Sequence, residues 1–266
     1  MFPLLTESLL KIIYVLVNIR GVENVRKHFP HEAQDLEPLI YCLTFLSTKT
    51  AYSWEMKYVL MLWLSLILMM PFTLSVLDSK VCDKFFVLVS EWDLELLMLK
   101  TKNLDIEDVI LNVCKLWLTS GTKMPVAASI CLARFFTRED VKNKGYLGQY
   151  MTWVGSALEI GKKQNKTFFV TNIWQTLVSI FKILHRTDLL PIFDQTYKIV
   201  FEDSSMDEGP AGDYRPPACL EGTGDNHSSQ LRQFKTKLVQ RLGLTILRPT
   251  ECSWLYKRSK KSLQDN

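Results

Sequence analysis

Between Lys57 and Asp78 lie twenty residues without a formal charge, YVLMLWLSLILMMPFTLSVL. No other feature constrains the fold as much, because about 20 predominantly apolar residues are enough to cross a bilayer. Such a segment must be surrounded either by lipid, as a membrane span at 58–77, or by other helices of the same polypeptide. Three observations favour helices. The flanks carry only Lys57 and Lys80, with no basic cluster on one side. Pro71 and the polar residues after it stop a helix near Met70, since proline cannot continue the hydrogen-bond ladder. A helix ending there is about 24 Å long, short of the hydrocarbon core. Finally, no second segment is comparably free of charge. A helix that is apolar all round fits a site where neighbours cover it on several sides.

Those neighbours are predicted by helical periodicity. Leu5, Leu9, Ile12, Ile13 and Leu16 fall on one face of an amphipathic helix. Leu231, Phe234, Leu238, Leu242 and Ile246 do the same, with Lys235 inside their stripe and obliged to snorkel. Further helices are expected at about 33–46, 53–70, 81–99, 105–119, 125–136, 146–162, 167–184 and 188–201, punctuated by Gly21, Pro30, Pro71, Gly121, Gly145 and Pro191. Strand alternation with tight-turn signals is weak throughout. Residues 203–229 carry four glycines and three prolines and read as a flexible loop. Two helices and their turns occupy about 40 residues, the period of HEAT and armadillo arrays. The expected fold is all-α; the spacing fits, without a strict internal repeat, a right-handed α-solenoid of HEAT/armadillo-like repeats over 1–202, resuming at 230–266 after the loop.

Nothing in the chain offers a catalytic constellation. It lacks GxxxxGK[ST], GxGxxG, GxSxG and HExxH. His28 and His31 have a possible ligand spacing, but Pro30 lies between them and a turn explains the cluster, so no metal or cofactor is expected. The six cysteines are at least 17 residues apart and form no CxxC pair. They suit a reducing compartment, where free thiols pack as small hydrophobes. At the N-terminus, Glu7 and Lys11 interrupt the apolar run and no small-x-small cleavage site follows, which argues against a signal peptide. A net charge of +4 is too small to indicate nucleic acid. Its distribution is uneven: residues 231–266 hold nine Lys or Arg against Glu251 and Asp265. That end can attract an acidic partner or simply present a solvated basic face. Of the seven tryptophans, Trp63 and Trp117 lie in apolar helical faces and read as core, whereas Trp254 lies among charges and suits a partner.

Four local strings are more specific. RGVENVRKHFPHEAQDLEPLI at 20–40, WEMKYVLMLWLSLILMMPF at 54–72, LARFFTREDVKNK at 132–144 and KLVQRLGLTILRP at 237–249, followed by Trp254, Tyr256 and Arg258, resemble successive segments of the tubulin-folding cofactor D family. The similarity covers most of 9–78 and 105–262. Residues 79–103 do not align, and 203–229 is longer and richer in glycine and proline than the matching connection. Family members are several times longer, so the chain corresponds to an N-terminal portion without its usual start. The resemblance implies a soluble, cytoplasmic, non-catalytic helical-repeat chaperone. Such a protein takes β-tubulin from the chaperonin and helps pair it with α-tubulin. With cofactors C and E it stimulates GTP hydrolysis by tubulin, and it binds an Arf-like small GTPase. Association with microtubules and cell junctions is implied as well. No nucleic acid and no membrane span is expected.

Because tubulin is acidic, basic residues on a repeat surface are the candidate contacts. These are Arg138 and Lys142 in the TREDVK turn, with Asp140 beside them, then Arg241, Arg248, Trp254, Lys257 and Arg258. Each competes with a plainer role as an internal salt bridge or a solvated charge. Two other whole-chain readings stay open: an armadillo-type adaptor for another acidic partner, and a membrane protein spanning at 58–77.

Overall fold

A computed structural model describes residues 2–47, 52–74, 105–202 and 226–247, and among these there is no strand. The helices are α1 (Phe2–Arg20), α2 (Val22–Arg26), α3 (Leu36–Ser47), α4 (Trp54–Ile67), α5 (Ile106–Trp117), α6 (Met124–Phe135), α7 (Glu139–Asn143), α8 (Tyr146–Lys163), α9 (Thr167–Ile183), α10 (Arg186–Glu202) and α11 (Asn226–Ile246). Gly21 and Gly145 break the chain between α1 and α2 and between α7 and α8. Both adopt positive φ (83° and 71°), a conformation that costs glycine little.

The helices stack in two rows. In one row α1 packs on α4, α4 on α6, α6 on α9 and α9 on α11. In the other, α3 lies against α5 and α8 against α10, each row leaning on the first through α3–α4, α5–α6, α8–α9 and α10–α11. This is the α-solenoid expected from the 40-residue spacing, with one continuous core between the rows. The centre is α6, whose Ala127, Ala128, Cys131 and Ala133 are fully buried. Small side chains there let α4 and α9 approach from both sides.

The uncharged tract is solved by burial. α4 is covered by α1, α2, α3 and α6. Residues Tyr58, Val59, Leu60, Met61, Leu62, Leu64 and Ile67 are all buried, each side chain contributing about 1.5–3 kcal/mol. The helix is 14 residues, about 21 Å, nearly two turns short of a bilayer-length span. No helix among the described residues is long and apolar enough to cross a membrane. The span at 58–77 is therefore corrected to a buried helix that stops at Ile67. Trp63 is only partly buried, and its Nε1 donates to the carbonyl of Pro30 (2.6 Å).

Helix C-termini expose four carbonyls without intrahelical partners. Here side chains from other helices and turns supply donors. Arg138 serves the turn after α4. Asn172 of α9 donates to the carbonyls of Leu118 (2.9 Å) and Ser120 (3.2 Å) behind α5. Arg186 of α10 donates to Thr245 (2.7 Å) and Ile246 (3.0 Å) at the end of α11. Repeats far apart in sequence are thus tied together at their ends, not only by apolar contact.

Several expectations shift. The helix expected from residue 33 begins with a 3-10 turn, Ala33–Asp35, before α3. Pro191, expected to punctuate the helices, lies inside α10. α11 begins at Asn226, so the end of the expected 203–229 loop is helical. The helix expected at 81–99 and residues 203–225 lie outside the described residues.

Candidate partner-binding surface

Arg138 and Asp140 flank the start of α7, where sequence placed a charged turn available to a partner. The structure turns them inward. The Arg138 side chain is 6% exposed. Its Nη1 donates to the carbonyls of Leu68 (2.9 Å) and Met70 (3.0 Å), and Nη2 to that of Phe72. Nε and Nη2 donate to the two carboxylate oxygens of Asp140 (3.0 and 2.9 Å), a bidentate pair. The guanidinium also lies 5.5 Å from the Phe72 ring centroid. Asp140 in turn accepts the backbone N–H groups of Leu74 (2.9 Å) and Val141 (3.0 Å). Burial alone would raise the Asp140 pKa, but these hydrogen bonds and the guanidinium charge hold it below the usual carboxylate range. A cation at the negative end of α4 is the favourable sign. The pair is a clamp on the Pro71 turn, and Arg138 offers no face to a second protein.

Lys142 is partly committed as well. Its Nζ bridges Asp188 (2.9 Å) on α10 and Glu139 (3.0 Å). The hydrogen bond that Nζ donates to Asp188 is the main reason its pKa lies above the ordinary lysine value. Nearby, Lys144 reaches buried Glu107 (2.9 Å) and Asp105 (3.4 Å) at the start of α5, which raises its pKa too. These cations link repeats and are screened by their carboxylates.

Arg241 stands in a different setting. α11 buries Leu238 and Leu242, and rests Leu231 and Phe234 on the core. Packing on α9 positions the helix, so its other residues fall on the outside or at the edges. Arg232, Lys235 and Arg241 are half-buried and Lys237 is exposed, and residues 226–247 contain no Asp or Glu. Lys235 snorkels as expected, its Nζ lying 5.2 Å from the Trp174 ring centroid. Arg186, which holds the end of α11, adds a further cation beside this helix. Like charges on both flanks of the buried stripe, with no acid on the same helix, make a positive potential that steers an acidic protein. On this helix sequence reasoning singles out only Arg241 as a contact; it treats Lys235 as a snorkelling residue and counts Arg232 and Lys237 only in the net charge. The acid-free run from 226 to 247 is the signal that finds them. Arg248, Trp254, Lys257 and Arg258 lie outside the described residues.

No group of three His, Cys, Asp or Glu side chains among the described residues could hold a metal ion. His31 accompanies the carbonyl of Phe29 (3.4 Å) in the turn before α3. Cys114 and Cys131 are buried, free thiols on α5 and α6, whereas Cys42 on α3 is exposed.

Comparison with known proteins agrees with this architecture. The family model described as tubulin-specific chaperone D-like, ARM repeat, matches residues 3–158. A tubulin-specific chaperone D of Dictyostelium discoideum is 26% identical over 223 residues, covering 79% of this chain and 14% of that protein. A tubulin-folding cofactor D of Schizosaccharomyces pombe is 25% identical over 254 residues, covering 94% of this chain and 18% of that protein. The chain thus spans less than a fifth of the length of these curated relatives. No solved structure matches.

Proposed function

Since the chain belongs to the tubulin-specific chaperone D-like family of ARM-repeat proteins, we propose that it is a tubulin-binding scaffold in post-chaperonin tubulin folding. The observation that carries this reading is the family match over residues 3–158, which takes in α1 to α7 and most of α8 of the solenoid. The client is β-tubulin, and the outcome is assembly of the α/β heterodimer. In this reading the chain contributes surface rather than chemistry. GTP is bound and hydrolysed by the client, and stimulation of that step requires cofactors C and E acting with the complete array. An Arf-like small GTPase is a further partner, and the cytoplasm, with its microtubules, is the place of action.

Physics supplies the mode of capture. Tubulin is acidic, so Lys237 and Arg241, one turn apart on α11, are the cations it meets, with Arg232 and Lys235 on the opposite flank adding to the field. Attraction of exposed charges is screened beyond roughly 8–10 Å at physiological salt, so capture is salt-sensitive. The test is pull-down of native tubulin by the folded 266-residue chain at low and high salt, with Lys237→Glu/Arg241→Glu alongside. Capture at low salt, weakened by the double change, is the expected result. A folded chain that retains no tubulin at low salt defeats the reading. Equal retention of an unrelated acidic protein would favour the general armadillo adaptor instead.

A further inference from the structure

The side chains of α1 that pack inward are Val17, with Leu10, Ile13 and Tyr14 partly buried against the core. Tyr14 sets its ring edge-on against Trp54 (5.0 Å) and Tyr58 (5.4 Å). Five further apolar side chains of α1 point out. Leu5 is 61% exposed, Leu9 52%, Ile12 58%, Leu16 45% and Ile19 72%. Their spacing is four, three, four, three, the a/d repeat of a coiled-coil seam rather than the wider stripe of a core-facing helix. We propose that this seam is a homodimerisation surface through which two copies of the chain pair, α1 against α1.

The occupant follows from charge and area. The positions beside the seam are Thr6, Ser8, Ile13 and Val15, all uncharged, with Arg20 the one cation, at its far end. The helix's other charges, Glu7 and Lys11, bond each other (2.9 Å) away from the seam. Two copies therefore meet with no opposed like charges, and an ionic partner would find nothing to read. The six exposed side chains, Val15 included, amount to on the order of 600 Å² per copy, or about 1,200 Å² for a pair, the lower end of specific interfaces. A cavity of about 510 Å³, lined by Ile13, Leu16, Arg20, Asn24, Val25, His28 and Phe29, opens beside the seam and shares Leu16 with it. It offers a hole for an apolar knob of the second copy.

Other surfaces fit a copy less well. α11 exposes Val239, Leu244 and Ile246, but its cations have no acid on the same helix. Pairing α11 with α11 opposes those charges, and pairing it with α1 sets them against a seam that carries no acid. α1 on α1 is also isologous, so it closes at two copies instead of growing. The pairing does not depend on the tubulin reading, and either can fail alone.

Sedimentation equilibrium of the full chain over about 1–100 µM tests it, a range suited to a micromolar Kd. Reversible dimer formation is expected, with Leu9→Lys and Ile12→Lys each weakening it at least about 50-fold by placing an unpaired ammonium in the seam. Both positions are half-exposed, so helix content and melting should be retained. If either lysine variant fails to fold, Ile12→Thr replaces it and is expected to weaken pairing in the same direction. Lys237→Glu should leave pairing unchanged. A monomer across the whole range overturns the proposal, as does a dimer undiminished in the seam variants or assembly that grows beyond two copies. So does a chain that stays monomeric and binds phosphatidylcholine–phosphatidylserine vesicles through the same residues.

Discussion

Replacing Arg138 by alanine should cost this fold about 4 kcal/mol. The guanidinium is 6% exposed and satisfies three carbonyls of the turn after α4 as well as both oxygens of Asp140. Removing it leaves Asp140 with the two backbone donors Leu74 and Val141 and no counter-charge. Breaking one side of a buried pair costs about 3–5 kcal/mol, because the surviving charge stays desolvated. Water admitted to the vacated space re-solvates some of the carbonyls, so their loss, about 1 kcal/mol each, is not simply added. Arg138→Lys keeps the charge but not the planar fork, and should recover only part of the loss. Arg138→Ala/Asp140→Ala removes the orphaned carboxylate too, and should be less damaging than the sum of the single changes. Urea unfolding followed by far-UV circular dichroism measures all four. If Arg138→Ala lowers stability by less than about 1 kcal/mol, the level of an exposed ion pair, the clamp is solvent-screened and the reasoning fails.

The Asp140 pKa is depressed in the fold, so its contribution to stability is present above the unfolded value near 3.9 and is lost as pH falls through the lower folded value. An acid titration of stability should therefore flatten below about pH 4 in Asp140→Asn relative to the parent. Lys142 shows the opposite sign: its raised pKa contributes below about pH 10.4 and fades as pH rises through the folded value, an effect Lys142→Met should abolish in an alkaline titration. Gly161→Ala places a Cβ 2.9 Å from Val170 Cγ2 and 3.3 Å from Phe169 Cδ1, forcing α8 from α9. Overpacking costs about 1–3 kcal/mol against a helix-propensity gain of about 1 kcal/mol, so the melting temperature should fall; a rise would show that the contact yields freely.

Much of the scaffold is legible in the sequence because it rests on periodicity and local chemistry. The tract at 58–77 carries no charge, so it must be covered, and Pro71 limits its length. The spacing of apolar residues locates α5, α6, α8 and α9 to within a residue or two of their observed ends. Asn165 at φ 52° marks the turn between α8 and α9, a conformation asparagine tolerates better than most residues.

What the tertiary structure alone decides is the direction in which a residue faces and whom it meets. The Leu5–Leu9–Ile12–Leu16 stripe is visible in the sequence, but Tyr14 and Val17 turn α1 so that the stripe faces outward. Arg138 and Arg241 look alike as isolated cations. One is drawn into the protein by carbonyls some 70 residues away, and the other is left at the surface beside Lys237. The reason is that helix periodicity is a local property of the chain. The fate of a charge depends on unpaired dipoles and carboxylates that are brought close only when distant repeats stack.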